Sequence, residues 1–210
     1  MKADSNALLD FYTADTPNGL KVSIYLHEAG IAHRQIALDL SAGEQHRPDY
    51  RRINPNGKIP AIIDHDAGIT LFESGAILSY LAAKTGVLQP ASLTEQMQVQ
   101  QWLHFQIGGI GPMLGQLWWF LHGSRTGNRE ATERYRKEAM RLYGVVEHRL
   151  LQSTFLATTE FSIADIAAYS WLRTWDELGL DISPFGRVRS WLDQIGKRRG
   201  VCDALDANRT

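Results

Sequence analysis

Cysteine is nearly absent from this chain of 210 residues, with Cys202 the single example. One cysteine excludes an internal disulfide, a Cys-x-x-Cys redox pair and a multi-cysteine zinc site. Its surroundings, "GVCDALDANRT", lack the electropositive setting of a reactive thiol, so Cys202 reads as a bystander. Long hydrophobic runs are missing too, and no segment has the length a bilayer span needs. The opening "MKADSNALLDF" lacks the apolar core of a signal peptide, so a cytoplasmic protein is expected. Nor is there an excess of either charge: 22 lysines and arginines face 23 acids, which argues against nucleic acid as a partner. The seven histidines show no ligand spacing, and Asp64 to Asp66 ("DHD") falls in a hairpin without further donors, so no metal is expected. There is no internal repeat or low-complexity tract.

What is present is an ordinary globular composition, 44% apolar, enough to bury a core. The first part alternates strand and helix signals. "ALLDFYT" reads as a strand, Pro17 to about Ala29 as a helix stopped by Gly30, and "HRQIALDL" as a second strand, which together make a βαβ unit. A polar stretch with a short helix leads to "IPAIIDHDAGITLF", two apolar runs split at Asp66-Ala67-Gly68, the pattern of a β-hairpin. A helix "ESGAILSYLAAKTG" then closes at Gly86. These elements describe a small mixed sheet covered by helices, over residues 1–87.

From "VLQPAS" onward strand signals nearly vanish, and residues 93–210 read as an all-helical domain. Ser92 and Glu95 form a capping box opening a long helix to about His122, with a kink at "GGIGPMLG", where Pro112 cannot continue the hydrogen-bond ladder. A second helix covers about Arg129 to Leu151. "FSIADI" supplies Ser162 as N-cap, Asp165 at the third helical position and a Phe161 to Ile166 staple. A last helix, near Phe185 to Arg198, precedes a short polar tail.

The chemistry-bearing residues lie at element ends of the first domain, and such ends gather at the edge of an α/β sheet where ligands bind. Thr16-Pro17-Asn18-Gly19 opens the first helix: Thr16 caps it and Pro17 fixes its first turn. Asn18 and Gly19 are poor helix formers there, so they call for either a turn before the helix or a ligand close to the backbone. The helix opening at Glu73-Ser74 offers free N–H groups, a hydroxyl and a positive dipole end, which suit a carboxylate. Lys58 offers a cation for a second carboxylate. Ile59, before Pro60, offers its backbone to an extended peptide as an added strand. A short peptide with a carboxylate at each end fits this set. Tyr12 lies near the end of the first strand, and its place in the alternation favours packing.

In this light the chain resembles the glutathione transferases. "KIPAIID" is similar to the family's cis-proline segment, "LFESGAILSYLA" to the segment that holds the γ-glutamyl group, and "FSIADIAAY" to the capping box of its helical domain. "TPNG", "GEQHRPD", "NPNGKIPAI", "WLHFQIGGIGPMLGQ" and "ERY" most resemble the Nu class, whose studied members are glutathione-dependent disulfide-bond reductases. The resemblance implies an N-terminal thioredoxin-like βαβαββα domain, a C-terminal all-helical domain and a homodimer. It places Thr16 and Asn18 beside the glutathione sulfur. Gln45, Lys58, Ile59, Glu73 and Ser74 would hold the tripeptide backbone, and Arg134 in "ERY" would reach the site, plausibly from the other subunit. Glutathione, reduced or as its disulfide, is the implied cosubstrate, with a small disulfide as second substrate. Conjugation to electrophiles, peroxide reduction and a non-catalytic glutathione-binding regulator are the alternatives. One departure stands out: Asp15 occupies a position where proline often precedes the threonine, and a carboxylate turned toward sulfur opposes thiolate formation.

Overall fold

The computed structural model describes residues 8–207. The chain divides into two compact units, one running up to Val87 and resuming at Arg198, the other spanning Leu88–Lys197.

The first unit is built in the order β1 (Leu9–Thr13), α1 (Pro17–Glu28), β2 (Arg34–Ala37), a 3₁₀ turn (Glu44–His46), α2 (Pro48–Ile53), β3 (Ala61–Asp64), β4 (Ile69–Phe72) and α3 (Ser74–Thr85). The first strand was expected to include Ala7, which lies outside the described residues. The sheet order is β2-β1-β3-β4, with β1 and β2 parallel and the other pairs antiparallel. The βαβ crossover accounts for the parallel pair, and the turn through Gly68, at φ 66°, closes the β3–β4 hairpin.

Buried residues run without a break along α1 from Gly19 to Leu26, so this helix is enclosed on every side. Gly30, at φ 64°, follows its end as the sequence implied. Gly19 has a spatial cause: a Cβ there would sit 2.3 Å from Thr13 Oγ1 and 2.6 Å from the Ala14 carbonyl oxygen. The helix starts tight against the strand it has just left.

The expected polar tail is a helix. After Arg198 the chain forms α9 (Arg199–Ala207), which packs on α1 with Val201 and Ala204 fully buried. Arg198 pairs in bidentate fashion with Glu28 (2.9 and 2.7 Å), and Gly200 lies so close that a Cβ would be 2.8 Å from Glu28 N. The helical domain read as 93–210 therefore yields its last stretch to the first unit, because the partner of α9's small apolar face is α1.

The second unit contains α4 (Leu93–Phe105), α5 (Gly111–Trp118), α6 (Arg129–Leu150), α7 (Ile163–Leu172) and α8 (Gly186–Gly196). The single helix expected from Ser92 to His122 is interrupted by two wide π-type turns, Gln106–Ile110 and Trp119–Gly123. The first precedes Pro112, which has no N–H to give, and its wider loop lets Gly111 N bond Gln106 O. The glycines admit Trp171, whose ring lies 3.1 Å from where a Cβ on Gly115 would be. The start of α7 carries the capping box: Asp165, fully buried, accepts from Ser162 N (3.1 Å), Ser162 Oγ (2.9 Å), Leu156 N (2.9 Å) and Trp191 Nε1 (3.2 Å). Burial pushes its carboxyl up to about 6 against the pull of those four donors.

Candidate functional site

The strand registers decide which loops meet. Tyr12 of β1 pairs with Ala61 of β3, and Ala61 pairs with Phe72 of β4. One line across the sheet therefore ends at the exit of β1, the entry of β3 and the exit of β4. Beyond that line lie Thr16–Asn18, Lys58–Pro60 and Glu73–Ser74, the three segments that sequence reasoning singled out.

At the β1 exit, Thr16 is the N-cap of α1, and its Oγ1 accepts from Gly19 N at 3.2 Å. The first turn of α1 contains no acidic residue. A threonine hydroxyl that accepts a backbone hydrogen bond still has its own hydrogen to donate. Thr16 and Asn18 are both half-buried, whereas Asp15 is exposed. Tyr12 packs against Tyr50, ring centroids 5.7 Å apart, and burial pushes its phenol up, as does the charge of Asp10. Both effects oppose a tyrosinate there, in keeping with a packing role.

At the β3 entry, the Ile59–Pro60 bond is cis. The carbonyl of Lys58 just before it is gripped twice, by Tyr50 Oη and by Asn54 Nδ2, each at 2.6 Å. These bonds hold the backbone leading into Ile59 while the Lys58 side chain stays exposed. Gln45 lies in the neighbouring 3₁₀ turn. Its Nε2 donates to Leu40 O at 3.3 Å, and its buried Oε1 has no hydrogen-bond partner. An amide oxygen left so is suited to a donor on a ligand.

At the β4 exit, Glu73 caps α3 with φ 71° and ψ 112°, a backbone conformation rare for any residue with a Cβ. Ser74 opens the helix and is buried, with the first-turn N–H groups beside it. Its Oγ accepts from Lys21 Nζ at 3.2 Å. Lys21 is 1% exposed. Burial pushes its amine down to about 7, and the charge of Glu73 opposes that shift.

Sequence reasoning missed Lys21, Tyr50 and Asn54. Lys21 had only a misleading signal, since a lone lysine in a helix ordinarily marks its solvent side. Tyr50 and Asn54 had none: their task is set by where α2 leaves the chain relative to Lys58. Arg134 stands exposed on α6, in the second unit. Asp64 and His65 are engaged structurally, Asp64 with Tyr80 and Lys84, His65 with Asp10. Among the described residues no group of histidine, cysteine, aspartate and glutamate is placed to hold a metal.

Comparison with known proteins identifies the family. Residues 9–83 match the "Glutathione S-transferase, N-terminal domain" and residues 110–198 the "Glutathione S-transferase, C-terminal domain". The chain is 44% identical to the disulfide-bond oxidoreductase YfcG of Escherichia coli over 94% of each protein. A glutathione transferase from Burkholderia graminis, solved with two glutathione molecules per subunit, is 39% identical with a TM-score of 0.91, over 98% of this chain and 90% of its own. Another from Pseudomonas putida, with one glutathione disulfide per subunit, is 37% identical with a TM-score of 0.89, over 97% and 93%. Both domain models match, and these relatives are 37–44% identical over nearly the whole of each chain, so this protein belongs to the glutathione S-transferase family.

Proposed function

We propose that the protein is a glutathione-dependent disulfide-bond reductase whose thiolate seat is the first turn of α1. The observation that carries this reading is the Thr16 cap: its oxygen is held by Gly19 N–H, its hydrogen is left to give, and no acid occupies the turn. A glutathione thiol, with a pKa of about 8.5, is ionised only to a few per cent at neutral pH. A hydroxyl donor and a helix N-terminus favour the thiolate, and each unit by which they lower that pKa corresponds to about 1.36 kcal/mol. Asn18 supplies a second polar group beside the sulfur.

The rest of the tripeptide follows the same edge. Ser74 and the N-terminus of α3 take the γ-glutamyl carboxylate, and Glu73 takes the neighbouring ammonium. The Ile59 backbone pairs with the cysteinyl residue, and Gln45 and Lys58 hold the glycyl end. The chemistry runs in two exchanges. The bound thiolate attacks one sulfur of the substrate disulfide, forming a mixed disulfide and expelling a thiolate that takes up a proton. A second glutathione thiolate then attacks the glutathione sulfur of the mixed species, releasing glutathione disulfide and the second substrate thiol. Two glutathiones are oxidised for each disulfide reduced, and no protein thiol takes part. The likeness to YfcG, and to relatives solved with two glutathiones or with glutathione disulfide, favours this course over conjugation or peroxide reduction. On this reading the protein is a cytoplasmic homodimer, whose mass sedimentation equilibrium would measure.

The test is the rate of glutathione-dependent reduction of a small soluble dialkyl disulfide by the native chain, Thr16→Ala and Asn18→Ala. The native rate should stand far above the uncatalysed one, and Thr16→Ala should lose about 10²-fold, the usual cost of one donor aimed at a reacting anion. A native rate equal to background would sink the reading. Arg134→Ala tests the remaining assignment through its KM for glutathione.

A further inference from the structure

We propose that Lys21 is a positioning residue of the glutathione site, fixing the Ser74 hydroxyl as a donor toward the γ-glutamyl carboxylate and setting a positive charge behind it. This inference rests on the glutathione reading above.

The geometry is specific. Lys21 leaves the second turn of α1, is 1% exposed, and reaches Ser74 Oγ at 3.2 Å. An ammonium has only hydrogens to give, so the serine oxygen must accept and its single hydrogen is turned elsewhere. Ser74 is the first residue of α3, where unsatisfied N–H groups and the positive dipole end already favour an anion. Lys21 thus makes an otherwise ambivalent hydroxyl a donor at the place where an anion belongs. Packing alone does not account for a lysine here, because a methionine would fill much of the same space without the penalty of a buried charge.

Binding should then be linked to protonation. In the ligand-free protein, burial has pushed the Lys21 amine down to about 7, so near neutrality it is only partly charged. A carboxylate arriving at Ser74 favours the charged form, so the complex takes up a proton. From α3 it is Glu73 that faces this amine. From α9, Arg198 pairs with Glu28 and Asp203 acts on His27, both near the far end of α1. Asp10 and Asp64 of the sheet are engaged with Arg34 and Lys84.

The experiment is titration calorimetry with S-methylglutathione, whose capped sulfur removes the thiol's own titration. It is run at pH 6.5 to 8.5 in buffers of different ionisation enthalpy, with thermal melting as the folding control. The native protein should take up a measurable fraction of a proton per ligand near pH 7.5 and bind severalfold more weakly at pH 8.5 than at 6.5. Lys21→Met should bind roughly tenfold or more weakly, as expected for losing a hydrogen bond to a charged group, with the proton uptake gone. Lys21→Arg, which keeps its charge, should bind well across the pH range without uptake. Lys21→Met and Ser74→Ala should combine to less than the product of their separate effects. Native-like affinity and proton uptake in Lys21→Met, or fully multiplicative losses in the double variant, would overturn the proposal while leaving the glutathione site intact. No binding by the native protein would overturn both.

Discussion

Two helix starts in this molecule use the same device to opposite ends. At α7, Ser162 and Asp165 close upon each other in the interior, and the carboxylate collects four donors. At α1, Thr16 takes one backbone N–H and stops there, half-buried, with no acid in the turn. A helix N-terminus is a site of positive potential in either case. Whether it serves the fold or a ligand depends on whether the chain supplies its own anion.

The largest break in that comparison comes from the closed cap. Asp165→Ala should leave the Leu156, Ser162 and Trp191 donors buried without a partner and cost about 3 kcal/mol or more, read by urea denaturation, while activity per folded molecule changes little. The next effect concerns charge stored beside a start of the other kind, that of α3. The Lys21 amine is lowered in the folded state to about 7 from 10.5, so above pH 7 the unfolded chain binds more protons than the folded one. Stability should therefore rise with pH between about 7 and 10.5, on the order of a few kcal/mol over the window. Lys21→Met should remove that slope and melt higher at pH 7.

The open cap can then be separated into its structural and chemical parts. Thr16→Ala should cost only about 1 kcal/mol of stability as a lost cap, well short of its 10²-fold effect on rate. If the stability loss were the greater, α1 would resemble α7 after all. Gly19→Ala tests what holds the open cap in place; overlap with Thr13 and the Ala14 carbonyl should cost about 1–3 kcal/mol, seen as a lower midpoint in urea. The smallest effect is expected of Asp15→Asn. The side chain is exposed, so stability should stay within about 0.5 kcal/mol, and the pH profile of disulfide reduction should hardly move.

Much of this was readable in the sequence because it depends on neighbours along the chain. Threonine before proline, serine three residues before an acid, and the glycine of a hairpin each act over a single turn, and α1, α4, α7 and the β3–β4 hairpin stand where those signals set them. The element ends gathered at the candidate site were legible for the same reason, as the alternation of strand and helix puts them at one sheet edge. What escaped depends on distant partners. The polar composition of "RGVCDALDA" hid α9, whose small buried face has meaning only against α1. Periodicity also cannot tell a π turn from an α turn, so one helix was expected where two wide turns intervene. The burial of Lys21 was hidden likewise, since an isolated lysine ordinarily marks the solvent side of a helix.

The return of α9 to the first unit has a consequence for synthesis on the ribosome. Residues up to Val87 emerge early, yet the surface of α1 around Glu28 is completed only by residues from Arg198 onward. The first unit therefore waits, unfinished, through the whole production of the second. Its final contacts form only once α9 has followed the whole second unit off the ribosome. Termination anywhere in the second unit would leave α1 without its α9 cover and Glu28 without Arg198, so damage to either unit reaches the first.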